Sequence, residues 1–328
     1  GAGVVILPKV HVSVSAVIGD HVQIHYGATI GHDSTIGTAS TVLPGAHVAG
    51  AVTIGSQVLV GSGAVILQGL NIGSGAVIGA GAVSGAEAIV HLAARPSVPR
   101  SLIEPDKTHE ANATGTLRVL EAARRHGNVY TIVASSSSVY GANPVLPKRE
   151  DLCPQPMSPY AVSKLAAEQY TLAWQGSFGV PTLAFRFFNV FGPRQAPGSA
   201  YAAVVPAFVH AALTGQPLVV HGDGSQTRDF THVFTVADVI VDAVQRRVTH
   251  PTPVNLAFGT RTSLIELIGI IEAVLGERVE CRNDEPRRGD VPHSQADSTL
   301  VRHLFPDVEP IELAEGVSAT IEWMRGWL

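Results

Sequence analysis

From Ile6 to Ile78 a branched aliphatic recurs at every sixth residue, and no other feature constrains the fold as tightly. Ile6, Val12, Ile18, Ile24, Ile30, Ile36, Val42, Val48, Ile54, Val60, Ile66, Ile72 and Ile78 fill 13 consecutive positions without a slip in register. A period of six suits neither the 3.6 of a helix nor the alternation of a two-faced strand. It implies a solenoid in which each hexad makes one short flat side and its aliphatic points inward. Three sides per turn give about four coils, near the minimum needed to bury a continuous core. Gly19, Gly31, Gly37, Gly55, Gly61, Gly73 and Gly79 follow the aliphatic directly. They are expected at tight corners, where positive φ is often required.

Composition separates this stretch from the rest of the chain. Lys9, Asp20 and Asp33 are the only charged residues up to position 84, and 16 of the 33 glycines lie there. No charge occurs between Ser34 and Ala86. Gly, Ser, Thr and Gln interrupt that span every few residues, so no run of about 18 apolar residues exists to suggest a membrane segment. The break near Ser84–Gly85 divides the chain into two expected domains, 1–84 and 85–328.

With 328 residues there is room for both, and 45% hydrophobic against 15% charged residues excludes a disordered polyelectrolyte. A net charge of −5 provides no basic field for nucleic acid. Cys153 and Cys281 are too few for a disulfide framework or a CxxC metal site, so no metal is expected. No basic flank precedes an apolar run at the N-terminus, and a cytoplasmic location is the expectation.

Ile30-Gly31-His32-Asp33 through Ile36-Gly37, with Gly79-Ala80-Gly81-Ala82-Val83, resembles the left-handed parallel β-helix of hexapeptide-repeat sugar O- and N-acetyltransferases. The resemblance implies a trimer that holds acetyl-CoA between adjacent coils, with His32 as the general base. A neutral imidazole can take a proton from a sugar hydroxyl or amine near pH 7. Where that family has a second histidine nine residues later, this sequence has Thr41. The plainer reading makes His32 a surface corner residue of a scaffold, like His11, His21, His25 and His47.

Beyond residue 88 the periodicity changes. Short apolar strands are expected at 88–93, 129–134 and 182–187. Helices are expected at 112–125, 159–174, 204–213, 236–247, 263–275 and 312–327. Such alternation implies a doubly wound parallel sheet. On the second helix Tyr160 and Lys164 stand at i and i+4, so phenol and ammonium share one face. An adjacent cation favours the phenolate and is expected to lower the phenol's pKa.

This YxxxK follows Ser135-Ser136-Ser137-Ser138-Val139-Tyr140-Gly141 at a strand end. The combination resembles the extended short-chain dehydrogenase/reductases, in particular the nucleotide-sugar 4-epimerases. Further stretches carry the same resemblance: His91-Leu92-Ala93-Ala94, Arg186-Phe187-Phe188-Asn189 through Gly192-Pro193-Arg194, Gly222-Asp223-Gly224 through Arg228-Asp229-Phe230, and Arg287-Arg288-Gly289-Asp290. It implies catalysis by Ser136, Tyr160 and Lys164. NAD would lie against Ala93, Ala94, Asn112, Lys164 and Phe188. A UDP-sugar would be held by Ser137, Asn189, Arg228 and Arg287, the arginines clamping its diphosphate.

Ser294, four residues after Asp290, occupies a position where the family gates the C2 substituent, and a small residue there admits N-acetyl groups. Dehydratases of the family carry an Asp-Glu pair immediately after the hydroxyl residue. Here Ser137 and Ser138 stand in those places, which favours epimerisation.

The family opens with a glycine-rich turn that receives the dinucleotide pyrophosphate. Neither GxxGxxG nor GxGxxG can be written anywhere in this sequence. The expected fold class is therefore mixed: a left-handed parallel β-helix followed by an incomplete Rossmann-type α/β domain with a small C-terminal substrate-binding part. The chain reads as a chimera with little NAD-dependent turnover, and as a homo-oligomer, trimeric through the coils or dimeric through the epimerase helices. Three functions remain open: a UDP-sugar 4-epimerase, an acetyl-CoA-dependent sugar acetyltransferase, or a structural or inactive fusion.

Overall fold

The computed structural model describes residues 1–79, 83–84, 87–197, 203–285 and 292–328. They form two compact units, Gly1–Glu87 and Ala88–Leu328.

In the first unit every hexad contributes a two-residue strand, and each strand pairs in parallel with the one 18 residues further on. Val5 lies opposite Gln23, Gln23 opposite Thr41, Thr41 opposite Leu59, and Leu59 opposite Val77. Three parallel sheets of five, five and four strands result. Ile24, Ile30, Ile36 and Val42, each the second residue of its strand, are fully buried in a common core. In the first coil Ile6 is 52% exposed.

Positive φ also recurs every six residues, three after each inward aliphatic, as at Lys9, Ser15, Asp33 and Gly27. The glycines that follow the aliphatics have a different duty from the one expected. A Cβ on Gly37 would stand 2.4 Å from the backbone carbon of Gly55, and one on Gly31 2.4 Å from that of Ala49. Gly19, Gly31, Gly37 and Gly55 permit close approach of successive coils, and the positive φ falls on other residues. Buried Ser34 ties coils together: its hydroxyl donates to the Ala49 carbonyl (2.9 Å) and accepts from the Val52 N–H (3.1 Å).

The main sheet of the second unit is parallel, in the order Ala88–His91, Tyr130–Ser136, Thr182–Phe187, Val254–Leu256. Among the described residues no strand pairs with the outer edge of Ala88–His91, where Val90 is 37% exposed. Ile132, Leu183, Phe185 and Val254 are buried against helix Val233–Arg246 and Phe305. A second core joins strand Leu218–His221 to helices Val204–Leu213, Leu264–Leu275 and Leu313–Arg325. The helix expected at 112–125 opens with a π turn, Glu110–Thr114, and is α-helical over Gly115–Arg125.

Helix Pro159–Phe178 starts where it should. Pro159 needs no helical N–H partner, and the Ser158 side chain accepts from the Ala161 N–H. It runs four residues past the expected end, to Gly179 at φ 68°. Among the described residues no helix is long and apolar enough to cross a membrane.

Candidate active site

Strand Tyr130–Ser136 is buried along nearly its whole length and emerges at Ser136, which has extended backbone and caps the short helix Ser137–Tyr140. Its hydroxyl oxygen accepts from the Ser138 N–H (3.2 Å) and the Ser138 hydroxyl (2.9 Å). Tyr160, in the first turn of helix Pro159–Phe178, faces this strand end. Burial pushes its phenol above the ordinary tyrosine range, and a hydrogen bond with the Ser136 hydroxyl opposes that shift.

Lys164, one turn later, is buried, and its Nζ donates to the Ala134 carbonyl (2.7 Å). Burial pushes its pKa down to about 8. The expected lowering of the tyrosine by the lysine is corrected here. Desolvation is the larger effect on the phenol, and the ammonium is turned toward the strand carbonyl.

Asn112 is fully buried and braces the loop after strand Ala88–His91. Its Oδ1 accepts from the Arg95 N–H (2.7 Å), while Nδ2 donates to the Arg95 carbonyl (3.2 Å) and the Ser163 hydroxyl (2.9 Å). All its amide groups are thus used within the protein, tying that loop to the helix of Tyr160. Ala93 is exposed and Ala94 half-buried on the same loop.

Two buried acids support the site. Glu168 accepts two hydrogen bonds from Arg186 (2.7 and 2.9 Å) and one from Ser135 (2.7 Å), clamping the active-site strand to its helix. Asp229 accepts from the Gly259 N–H (3.1 Å), the Ala296 N–H (2.9 Å) and the Thr260 hydroxyl (2.9 Å). Burial nevertheless pushes its carboxyl up to about 6. Its backbone carbonyl accepts from both the N–H and the side-chain amide of Asn189 (each 3.2 Å).

A cavity of about 560 Å³ opens on these elements. Tyr160, Phe188, Asn189 and Arg228 line it together with Ser97, His221 and Gln226. Arg228 Nη1 donates to the carbonyls of Thr227 (2.9 Å) and Pro292 (3.2 Å). Ser137 and Ser294 are half-buried outside this lining, and the Ser294 N–H donates to the Thr227 carbonyl (3.0 Å). Arg287 lies outside the described residues. Sequence reasoning missed Ser97, His221 and Gln226. The latter two flank or fall within the GDGSQTR stretch and were open to notice; Ser97 carries no comparable signal. Among the described residues no cluster of three or more His, Cys, Asp or Glu could hold a metal ion.

His32 lies in the first unit on an exposed corner, its Nδ1 2.8 Å from Asp33 Oδ2 and its side chain 52% exposed.

Residues 67–257 match the family described as NAD dependent epimerase/dehydratase. The chain is 38% identical over 245 residues to a UDP-glucose 4-epimerase of Mycolicibacterium smegmatis, a match covering 72% of this chain and 75% of that protein. The chain belongs to the NAD-dependent epimerase/dehydratase family. Among solved structures, a UDP-N-acetylglucosamine 4-epimerase from Methanobrevibacter ruminantium, in complex with UDP-N-acetylmuramic acid, is similar with a TM-score of 0.70 and 35% identity. That match covers 74% of this chain and 77% of the other. A structure of MoeE5 in complex with UDP-glucuronic acid and NAD is similar with a TM-score of 0.66 and 30% identity. It covers 86% of this chain and 91% of its own. The nucleotide-sugar 4-epimerase-like function and the NAD dependence expected from the motifs are what these matches support.

They correct the expected recognition. The epimerase-family match starts at residue 67, inside the segment read as acetyltransferase-like, and the 86% match is longer than 85–328 alone can supply. The relatives include nucleotide-sugar epimerases and dehydratases, and neither the chimera nor an acetyltransferase finds support among them. The fold class is corrected likewise: over most of the chain it is the extended Rossmann-type epimerase fold, with no independent left-handed β-helix domain indicated by those structures. The physical reason is that a hexad register encodes only which residues point inward and how backbones stack. It carries no chemistry by itself. Acetyl-CoA has no support either.

Proposed function

We propose that this chain is an NAD-dependent 4-epimerase of UDP-hexoses and UDP-N-acetylhexosamines. The observation carrying this reading is that helix Pro159–Phe178 sets Tyr160 beside the Ser136 hydroxyl at the strand end, with Lys164 one helical turn on, where Tyr160 opens onto the cavity. In this reading Ser136 hydrogen-bonds the sugar C4 oxygen and Tyr160 takes and returns the C4 hydroxyl proton at its phenolic oxygen. Asn189 and Arg228, with Arg287, hold the glycosyl diphosphate. Ser137 lies beside the sugar, and the absence of a carboxylate at Ser137 and Ser138 favours epimerisation over loss of water.

The residues fit the nicotinamide end of NAD. Lys164 spends one N–H on Ala134 and retains others for a ribose, Ala93 is exposed with no bulk beyond Cβ, and Phe188 borders the cavity beside Tyr160. When bound, NAD would supply a hydride acceptor for C4, and its reduced form a hydride donor to the resulting ketone. Asn112 acts on this end through the loop it braces. No GxxGxxG turn exists in the sequence to receive the pyrophosphate, so NAD affinity is expected to be weak and turnover low without a large excess of cofactor.

The test is conversion of UDP-glucose to UDP-galactose by the purified chain, with and without excess NAD, beside Tyr160→Phe. NAD-dependent conversion lost in the variant is expected. A wild-type chain that binds UDP-sugar and NAD together without interconverting any C4 epimers would overturn the assignment.

A further inference from the structure

At the strand end that carries Ser136, one side chain enters the reading above, on which this inference rests, only as a position without a carboxylate. Ser138 follows Ser136 by two residues, in the short helix Ser137–Tyr140. Its backbone is fixed on both sides. The N–H donates to the Ser136 hydroxyl oxygen (3.2 Å), and the carbonyl accepts from the Gly141 N–H (3.1 Å). Val139 and Tyr140, next in the turn, are buried, and the Tyr140 hydroxyl donates to Asn255 Oδ1 (2.7 Å). Gly141 has φ 48°, and a Cβ there would stand 1.8 Å from the Gln155 carbonyl oxygen, so the turn closes only with glycine. A turn held in this way sets the Ser138 hydroxyl against Ser136 Oγ, to which it donates (2.9 Å).

A hydroxyl has one hydrogen and two lone pairs. Ser138 brings a donor to each lone pair of Ser136, its N–H and its hydroxyl, so Ser136 has only its hydrogen left to offer. Its effect on Tyr160 has the same sense, since Ser136 favours the phenolate, as a donor does. Hydrogen bonds accepted by a hydroxyl also polarise it and strengthen the one it donates. The consequence falls on the sugar C4 hydroxyl. In the reading above its hydrogen has two oxygens to choose between, Ser136 Oγ and the Tyr160 phenol. With the lone pairs of Ser136 filled, the phenol alone can take it.

We infer that Ser138 is a positioning residue for the reaction, which fixes Ser136 as a hydrogen-bond donor to the C4 oxygen and so directs the C4 proton to Tyr160.

Calorimetric titration of the full-length chain tests this with UDP and with UDP-4-keto-6-deoxyglucose, whose C4 oxygen can only accept. Ser138→Ala removes one donor and frees a lone pair on Ser136, whereas Ser138→Thr keeps the hydroxyl. The 4-keto ligand should bind Ser138→Ala about 3- to 10-fold more weakly, the range of one neutral hydrogen bond. UDP should bind unchanged, and Ser138→Thr should restore the wild-type affinity. In a Ser136→Ala background Ser138→Ala should change nothing, because the residue through which it acts is gone. Unchanged affinity for the 4-keto ligand in Ser138→Ala would overturn the inference, as would an equal loss in Ser138→Thr. Weakening of UDP to the same degree would mark a merely structural role and overturn it too. A further loss on the 4-keto ligand in the Ser136→Ala background would make Ser138 a ligand contact, which also overturns it. If Ser136→Ala by itself leaves the 4-keto ligand unweakened, the reading that places Ser136 at C4 fails first, and the inference with it.

Discussion

Tyr160 and Ser136 show how a single residue's chemistry depends on where the fold buries it. Burial raises the phenol, so the group needs substrate and cofactor around it before it can act as a base. Tyr160→Phe is expected to lower kcat by about 10²–10⁴-fold with little change in KM, read by coupled assay of UDP-galactose formation. At Ser294, substitution by Tyr should remove UDP-N-acetylhexosamine turnover while sparing UDP-hexoses; equal loss on both would exclude a gate. Asp229 yields a prediction in pH. Its folded-state carboxyl titrates near 6, above the unfolded value of about 3.8, so it contributes stability below pH 4 that is lost as pH rises through 6. Asp229→Asn can keep the acceptors for the Gly259 and Ala296 N–H groups and removes the titration. The stability difference between wild type and variant should therefore shift by up to about 3 kcal/mol against wild type between pH 4 and 6.5, at roughly 1.4 kcal/mol per unit. Urea unfolding across that range reads it, and parallel curves for the two proteins would exclude Asp229 as the source.

Elements in the first unit are short and gain their stability from stacking. A two-residue strand has no independent existence; Thr35–Ile36 persists because strands 18 residues before and after pair with it and Ile36 is wholly buried. Coil spacing is limited at the glycines facing the next backbone. Gly37→Ala forces a Cβ to within 2.4 Å of the Gly55 backbone and should cost about 1–3 kcal/mol. Gly27→Ala meets nothing within 4 Å and pays only for a left-handed φ of 67°, about 1–2 kcal/mol. Thermal unfolding of the two variants separates steric crowding from backbone strain; equal costs would show that spacing is not limiting. In the second unit, helix Pro159–Phe178 was legible because capping chemistry and the YxxxK spacing coincide. The π turn before Gly115 was not, since no local propensity marks a helix that widens to seat Asn112.

At the scale of the whole molecule the matter to settle is cofactor binding. The main sheet has Ala88–His91 at its edge among the described residues, and the sequence contains neither GxxGxxG nor GxGxxG. Charge-assisted hydrogen bonds to a pyrophosphate are worth about 1.5–3 kcal/mol each, so lacking two or three weakens binding by several powers of ten. The purified chain should therefore carry no stoichiometric NAD, yet bind UDP through the cavity of Arg228 and His221. Absorbance and mass spectrometry of the protein as isolated check the first point, calorimetry the second. Tightly held NAD would show that backbone N–H groups outside any glycine motif receive the pyrophosphate.

What the sequence determined by itself was whatever periodicity and local chemistry encode. The hexad register named the aliphatics from Ile24 to Ile66 that the coils bury, because spacing along a chain translates directly into which side a residue faces, but not the second buried row, Val22, Ala28, Ala46, Val52, Val58 and Ala64. The ordered motifs around Ser136, Tyr160, Lys164, Asn189 and Arg228 pointed to a family because reacting groups must keep fixed offsets on one strand and one helix. Family membership over the whole chain was misjudged, since a repeating backbone pattern says how segments stack and nothing about what they catalyse. Only the tertiary structure decided that the phenol's pKa rises, that Asn112 spends its amide on Arg95 and Ser163, and that Asp229 gathers three loops. It also brought Ser97 and His221 into the same cavity as Tyr160. Each of these rests on desolvation or on partners tens of residues away, quantities that exist only once the chain has closed on itself.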